Sequence, residues 1–95
     1  MFDHNLFTQA GLKPRHVSRL VGVSRVTASN WLRGVAKPHK LIEDKTQLLQ
    51  SAIKTALDDG DLPVSDRLSA EEASVKTVAI VKRHVKQIEE EQNPS

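Results

Sequence analysis

The chain contains no cysteine, which excludes disulfides, thiol nucleophiles, thiolate metal sites and iron–sulfur clusters. Aromatic side chains are scarce: Phe2, Phe7 and Trp31 are the three among 95 residues. A core built mostly from Val, Leu, Ile and Ala is small, so oligomerisation is an expected source of further stability. Long apolar runs are missing. The longest aliphatic stretch, Val78-Ala79-Ile80-Val81, is too short for a membrane span or a signal-peptide core. A cytoplasmic protein without membrane contact is therefore expected. Signatures of catalysis are missing as well. No glycine-rich phosphate loop is present, and no serine stands in a nucleophile elbow. His4, His16, His39 and His84 do not recur at metal-ligand spacings such as i, i+4. The carboxylates gather in a linker and a tail, where little would perturb them. These features predict a protein that is not an enzyme, with no metal, no cofactor and no small-molecule ligand.

What is present is a charge asymmetry concealed by a formal net charge of +2. Residues 1–40 carry Lys13, Arg15, Arg19, Arg25, Arg33, Lys37 and Lys40 against Asp3 alone, a balance of +6. Residues 41–95 carry seven basic and eleven acidic side chains, a balance of −4. A basic half joined to an acidic half points to a polyanionic partner for the first. Charge by itself does not choose between nucleic acid, anionic lipid and an acidic protein.

Local punctuation predicts an all-α chain, because no Val/Ile/Thr alternation suggests a sheet. Asp3 is a suitable N-cap for a first helix ending at Gly11, with Leu6, Phe7 and Ala10 on one face. Pro14 suits the first position of a second helix that buries Val17, Leu20 and Val21 and stops at Gly22. Ser24 caps a third helix running to about Arg33, closed by Gly34. Apolar pairs from Leu41/Ile42 to Ala56/Leu57 predict a long fourth helix from about His39 to Asp58, the alternative being two helices broken near Lys45. Gly60 and Pro63 end it and open an acidic linker over 61–69. Ser69 and Glu72 form a capping-box pattern at the start of a final helix over 70–92. Glu89 to Glu91 read as a fraying end, followed by a disordered tail over 93–95.

Pro14 to Arg33 reads PRHVSRLVGVSRVTASNWLR. Ser18 is small enough for two helices to approach closely, and Gly22 follows four residues later as a turn glycine. Val17, Val21, Val23 and Trp31 occupy apolar positions. The stretch Ser29-Asn30-Trp31-Leu32-Arg33-Gly34 has Pro38 four residues beyond it. This segment resembles the helix-turn-helix of the lambda repressor/Cro-like superfamily (the xenobiotic-response-element type) of small phage and plasmid transcriptional regulators. The strong part of the resemblance covers about residues 12–40, and helix order extends it from residue 3 to about 58. The chain departs from the family pattern in three places. Ala28 replaces a larger aliphatic residue, Lys13-Pro14 replaces a Ser or Thr cap, and the usual Gln at the start of the second helix is absent.

The resemblance implies a compact helix-turn-helix DNA-binding domain of four to five helices over residues 1–60, followed by a C-terminal dimerisation helix. It also implies binding to double-stranded DNA as a homodimer, with the third helix in the major groove of an operator. The protein would act in a bacterial cytoplasm, on the nucleoid when DNA-bound. In such docking the N-terminal residues of the recognition helix meet base edges. Ser24, Arg25, Val26, Ser29 and Asn30 are the candidate base readers. Arg25 suits guanine, Asn30 suits adenine, and Val26 suits a thymine methyl. Arg15, His16, Lys37, His39 and Lys40 are the candidate phosphate contacts. Trp31 reads as core, and Arg19 and Arg33 as solvated helix surface. Val78, Val81, Val85 and Ile88 recur at a/d spacing and are the candidate dimer seam, with packing on the chain's own domain as the alternative. Two other functions stay open. One is a small phage DNA-packaging oligomer resembling a terminase small subunit. The other is an antitoxin-type autorepressor whose acidic part covers a basic toxin.

Overall fold

A computed structural model of the chain describes residues 2–92. Among them are five α-helices and no strand: α1 (His4–Gln9), α2 (Pro14–Val21), α3 (Arg25–Leu32), α4 (Glu43–Asp58) and α5 (Ala70–Gln92). A single 3-10 turn, Lys40–Ile42, leads into α4. The helices begin and end where local chemistry permits. The Asp3 carboxylate accepts from the N–H groups of Asn5 and Leu6, which otherwise have no intrahelical partner. Pro14 opens α2, and Gly22 ends it in the left-handed region at φ +87°. The Ser69 hydroxyl accepts from the Glu72 N–H and donates to its carboxylate, each at 3.1 Å. This is a variant of the capping box in which the acid returns to the cap hydroxyl.

The scarce aromatics share one place. Phe2 stacks on Phe7 with ring centroids 4.9 Å apart and tilts against Trp31 at 5.9 Å. Around them, Ala28, Val17, Leu49, Ala52 and Ile53 complete a core that draws on α2, α3 and α4. The N-terminus is tied down as well, because the Asp3 N–H donates to Gln50 Oε1 of α4 at 2.8 Å.

Three expectations change here. The fourth helix starts at Glu43 after the 3-10 turn, so the break falls before Lys45. The segment 61–69 is not a free linker. Leu62 is buried, Val64 packs on the core, and Asp61 reaches α5. Finally, α5 lies along α4 and α2 of its own chain. Val81 is 0% exposed and Val78 is buried in the same core as Phe7 and Ile53, with Val85 and Ile88 half-buried beside it. The seam proposed for a partner copy is thus largely spent within one chain. An a/d stripe has the same spacing in both cases. The helix continues through Glu89–Glu91, where fraying was predicted, and residues 93–95 lie outside those described.

Candidate nucleic-acid interface

The turn between α2 and α3 is built from short-range contacts. The Ser18 hydroxyl donates to the Val23 carbonyl across it. From α4, Lys45 Nζ donates to the Val21 carbonyl at 3.2 Å, satisfying a helix-end acceptor and fastening α4 to the end of α2. Ser24 then caps α3. Its hydroxyl oxygen accepts from the Thr27 N–H at 3.1 Å and donates to Thr27 Oγ1 at 3.0 Å. Ser24 was predicted to read a base, but its hydroxyl serves the helix first. Thr27, three residues after a Ser cap, was legible as its partner.

The first turn of α3 carries Arg25, which is exposed, and Val26, which is 72% exposed. Ser29 follows, half-buried, one turn along. The opposite side of the helix is closed by Ala28 and Trp31, both buried, Trp31 in the core where it was read. Asn30 is half-buried, and its Oδ1 accepts from Arg33 Nη2 at 2.8 Å. Bidentate pairing with adenine uses that oxygen together with the amide NH2, so the oxygen's second lone pair must serve. Arg33 was read as plain solvated surface, and it joins the candidate face through this contact.

At the exit of α3, Gly34 adopts φ +74° with the His4 ring beneath it, where a Cβ would lie 3.0 Å from Cε1. That packing leads the chain into a segment where Val35, Lys37 and Lys40 are exposed and Leu41 is 88% exposed. Lys37 and Lys40 line one shallow depression of about 250 Å³ with Phe2 and Glu43. His39 is exposed, and its Nδ1 accepts from the Leu41 N–H at 3.1 Å to cap the 3-10 turn. Among the described residues, neither Arg25, Arg33, Lys37 nor Lys40 makes an ion pair.

Arg15 and His16 stand apart from this face. His16 was predicted at a DNA phosphate, yet it is 3% exposed, and its Nδ1 accepts from the Lys13 N–H at 2.9 Å. It forms the reciprocal half of a capping box, while the ammonium of Lys13 can accept nothing in return. Burial, with Arg15, Lys13 and Arg19 nearby, holds the His16 pKa below its ordinary value. A phosphate on a duplex surface does not reach so buried a ring. Arg15 is half-buried with its Nε enclosed.

A second polar cluster escaped the sequence reading because its members lie 23 positions apart. His84 is buried, and its Nε2 lies 3.0 Å from Asp61 Oδ2, which also accepts from Arg83 Nη2 at 2.9 Å. An ionised carboxylate only accepts, so Nε2 carries the ring proton. The hydrogen bond from His84 and the charge of Arg83 hold the Asp61 carboxyl below its ordinary range. Asp59 joins them, with one ligand atom from each of Asp59, Asp61 and His84 within 4.8 Å of the others. The Asp61 oxygen that faces the imidazole is already taken by Arg83 and His84.

Comparison of the chain with family models, with characterised proteins and with solved structures found no match.

Proposed function

We propose that this protein is a sequence-specific double-stranded DNA-binding transcriptional regulator that inserts α3 into the major groove of an operator. The observation that carries the reading is the first turn of α3. There an exposed arginine stands beside a valine that is 72% exposed, on a helix whose other side is buried. A β-branched side chain in solvent next to an unpaired arginine has a use against DNA, where a thymine methyl and a guanine edge lie side by side in one groove. Lys37 and Lys40, exposed and without ion pairs at the exit of α3, supply backbone charge for positioning. In the refined assignment Arg25, Val26 and Ser29 read bases, Asn30 acts with Arg33, and Ser24 and His39 hold their helix ends. Binding as a twofold pair remains part of the proposal. Its contact falls to surface other than Val78 and Val81.

Selection of bound sequences from a random duplex pool, followed by titration of the selected site and a scrambled one, tests this. Arg25→Ala should cost about 1–3 kcal/mol on the selected site and relax preference at one base pair. Lys37→Ala should weaken both duplexes alike and lower the salt slope by about 1. Equal losses on both duplexes for Arg25→Ala would remove it from base reading, and failure to enrich any sequence would sink the proposal.

A further inference from the structure

A groove of about 520 Å³ runs between α4 and α5, and no residue of α3 lines it. Its floor is apolar, with Leu20 of α2 beside Leu49 and Val85. On the α4 side it is bordered by Asp44 and Leu48. The same two side chains border a second hollow of about 380 Å³, on the flank of α4 that carries Gln47 and Ser51. Four residues apart on one helix, they form a short ridge with a depression on each side. Leu41, three residues before Asp44, is 88% exposed. The α5 wall carries Lys82 and Lys86 against Glu89, so it is net positive. Asp44, Lys82 and Lys86 make no ion pair among the described residues.

A ridge beside a groove is self-complementary. Turning a second copy about a twofold axis sets each ridge into the other copy's groove, which is how helices ordinarily interdigitate. We propose that a second copy of this chain docks here, the α4 ridge of each protomer seated in the α4–α5 groove of its partner. Leu48 then lies on the partner's apolar floor, and Leu41 is covered at the end of the contact. Asp44 faces the partner's Lys82 and Lys86. An acid on one wall and bases on the other select a like chain, because the charges unpaired in one copy are matched by the next. The Lys45 ammonium, which also borders the groove, is held on α2 by the Val21 carbonyl. The inference rests on the twofold pairing within the regulator reading and names its surface.

Sedimentation equilibrium of the full chain without DNA, from about 1 μM to about 1 mM, reads the contact directly. The parent should pass reversibly from one copy to two, with a dissociation constant on the order of tens of micromolar. Asp44→Lys brings like charges together, and Lys82→Glu combined with Lys86→Glu does the same from the other wall. Each variant alone should dimerise about tenfold more weakly or worse. Mixed in equal amounts, the two variants regain opposite charges at both ends and should form a mixed dimer close to parent strength. Damage to either fold cannot imitate that recovery. A parent that stays a single copy throughout, a mass beyond two copies, reversals without effect, or variants that stay apart when mixed overturns the proposal. No DNA is present, so such a failure is separate from a failure of α3 to select a sequence.

Discussion

Arg25, Arg33, Lys37 and Lys40 stand on or just beyond α3 with no carboxylate in ion-pair range among the described residues. Between the end of α4 and α5, Asp61 gathers Arg83 and His84 onto one oxygen, and Leu62 beside it in sequence is buried, as is Val81 of α5. The two regions use the same residue types for opposite ends. Around α3, charge is left unspent and apolar side chains such as Val26 stay in solvent, so local stability comes from caps and from Trp31 behind the helix. Around Asp61, the carboxylate takes up Arg83 and the Nε2 of His84 and fastens the 61–69 segment to α5, while His84 Nδ1 is buried without a partner. Unspent charge is available to a partner, whereas paired charge holds a fold together. The contrast is local to the Asp61 corner, because the other charged side chains of 41–92 make no ion pair either among the described residues.

The largest effect that could break this comparison is a charge placed in α5. Val81→Asp buries an unpaired carboxylate at a site with 0% exposure, which should cost about 4 kcal/mol or more against a marginal total of about 5–15 kcal/mol. Loss of helical circular dichroism and of a cooperative melt is expected at every protein concentration. A variant that kept its melt and lost only mass in solution would return α5 to a seam between copies. Arg25→Ala makes the converse case: its melt should stay within about 0.5 kcal/mol of the parent while DNA discrimination falls.

The Asp61 corner yields a smaller effect with a defined sign. A carboxylate whose folded pKa is depressed contributes stability that is complete above its ordinary range and is lost as pH falls through the folded value. Asp61→Asn should therefore melt lower than the parent near neutrality, and the gap should close as the pH is taken down through the carboxylate range. A gap that stayed constant from neutral to strongly acidic pH would mean that packing of the side chain, rather than its charge, does the fastening.

Caps and breaks were readable because they depend on residues within one turn. Asp3, Pro14, Gly22, Ser24, Gly34 and Ser69 each mark an end that the structure contains. The burial of Trp31 and the exposure of Arg25 followed from helical periodicity together with the helix-turn-helix resemblance. What was not readable depends on distance along the chain. Nothing near Asp61 announces His84, and nothing in 61–69 distinguishes a solvated linker from a packed one until Leu62 and Val64 meet the core. The α5 stripe was visible, but its partner was not, since the same valines fit a second copy or the flank of α4. His16 failed for a related reason. A histidine three residues past Lys13 among arginines resembles a phosphate contact, and only the packing of the 63–68 segment and α5 around the start of α2 takes it out of reach.

His16 also supplies the finest test, because it belongs by position to the basic half and by burial to the packed one. If it were a surface residue, titrating it would scarcely alter stability. Enclosed beside Lys13 and Arg15, it is held neutral, with a pKa below the ordinary value of 6.5. The unfolded chain then binds a proton at a pH where the folded chain does not, so stability falls as pH drops below the ordinary histidine value toward the folded one. His16→Gln keeps an acceptor able to reach the Lys13 N–H and removes the titration. The difference in melting temperature between parent and variant, followed from pH 7.5 to 5, isolates the contribution of position 16. The parent should lose ground steadily relative to the variant as the pH falls. A difference independent of pH would place His16 in solvent, and the division between spent and unspent charge would then run along the sequence rather than through the packing.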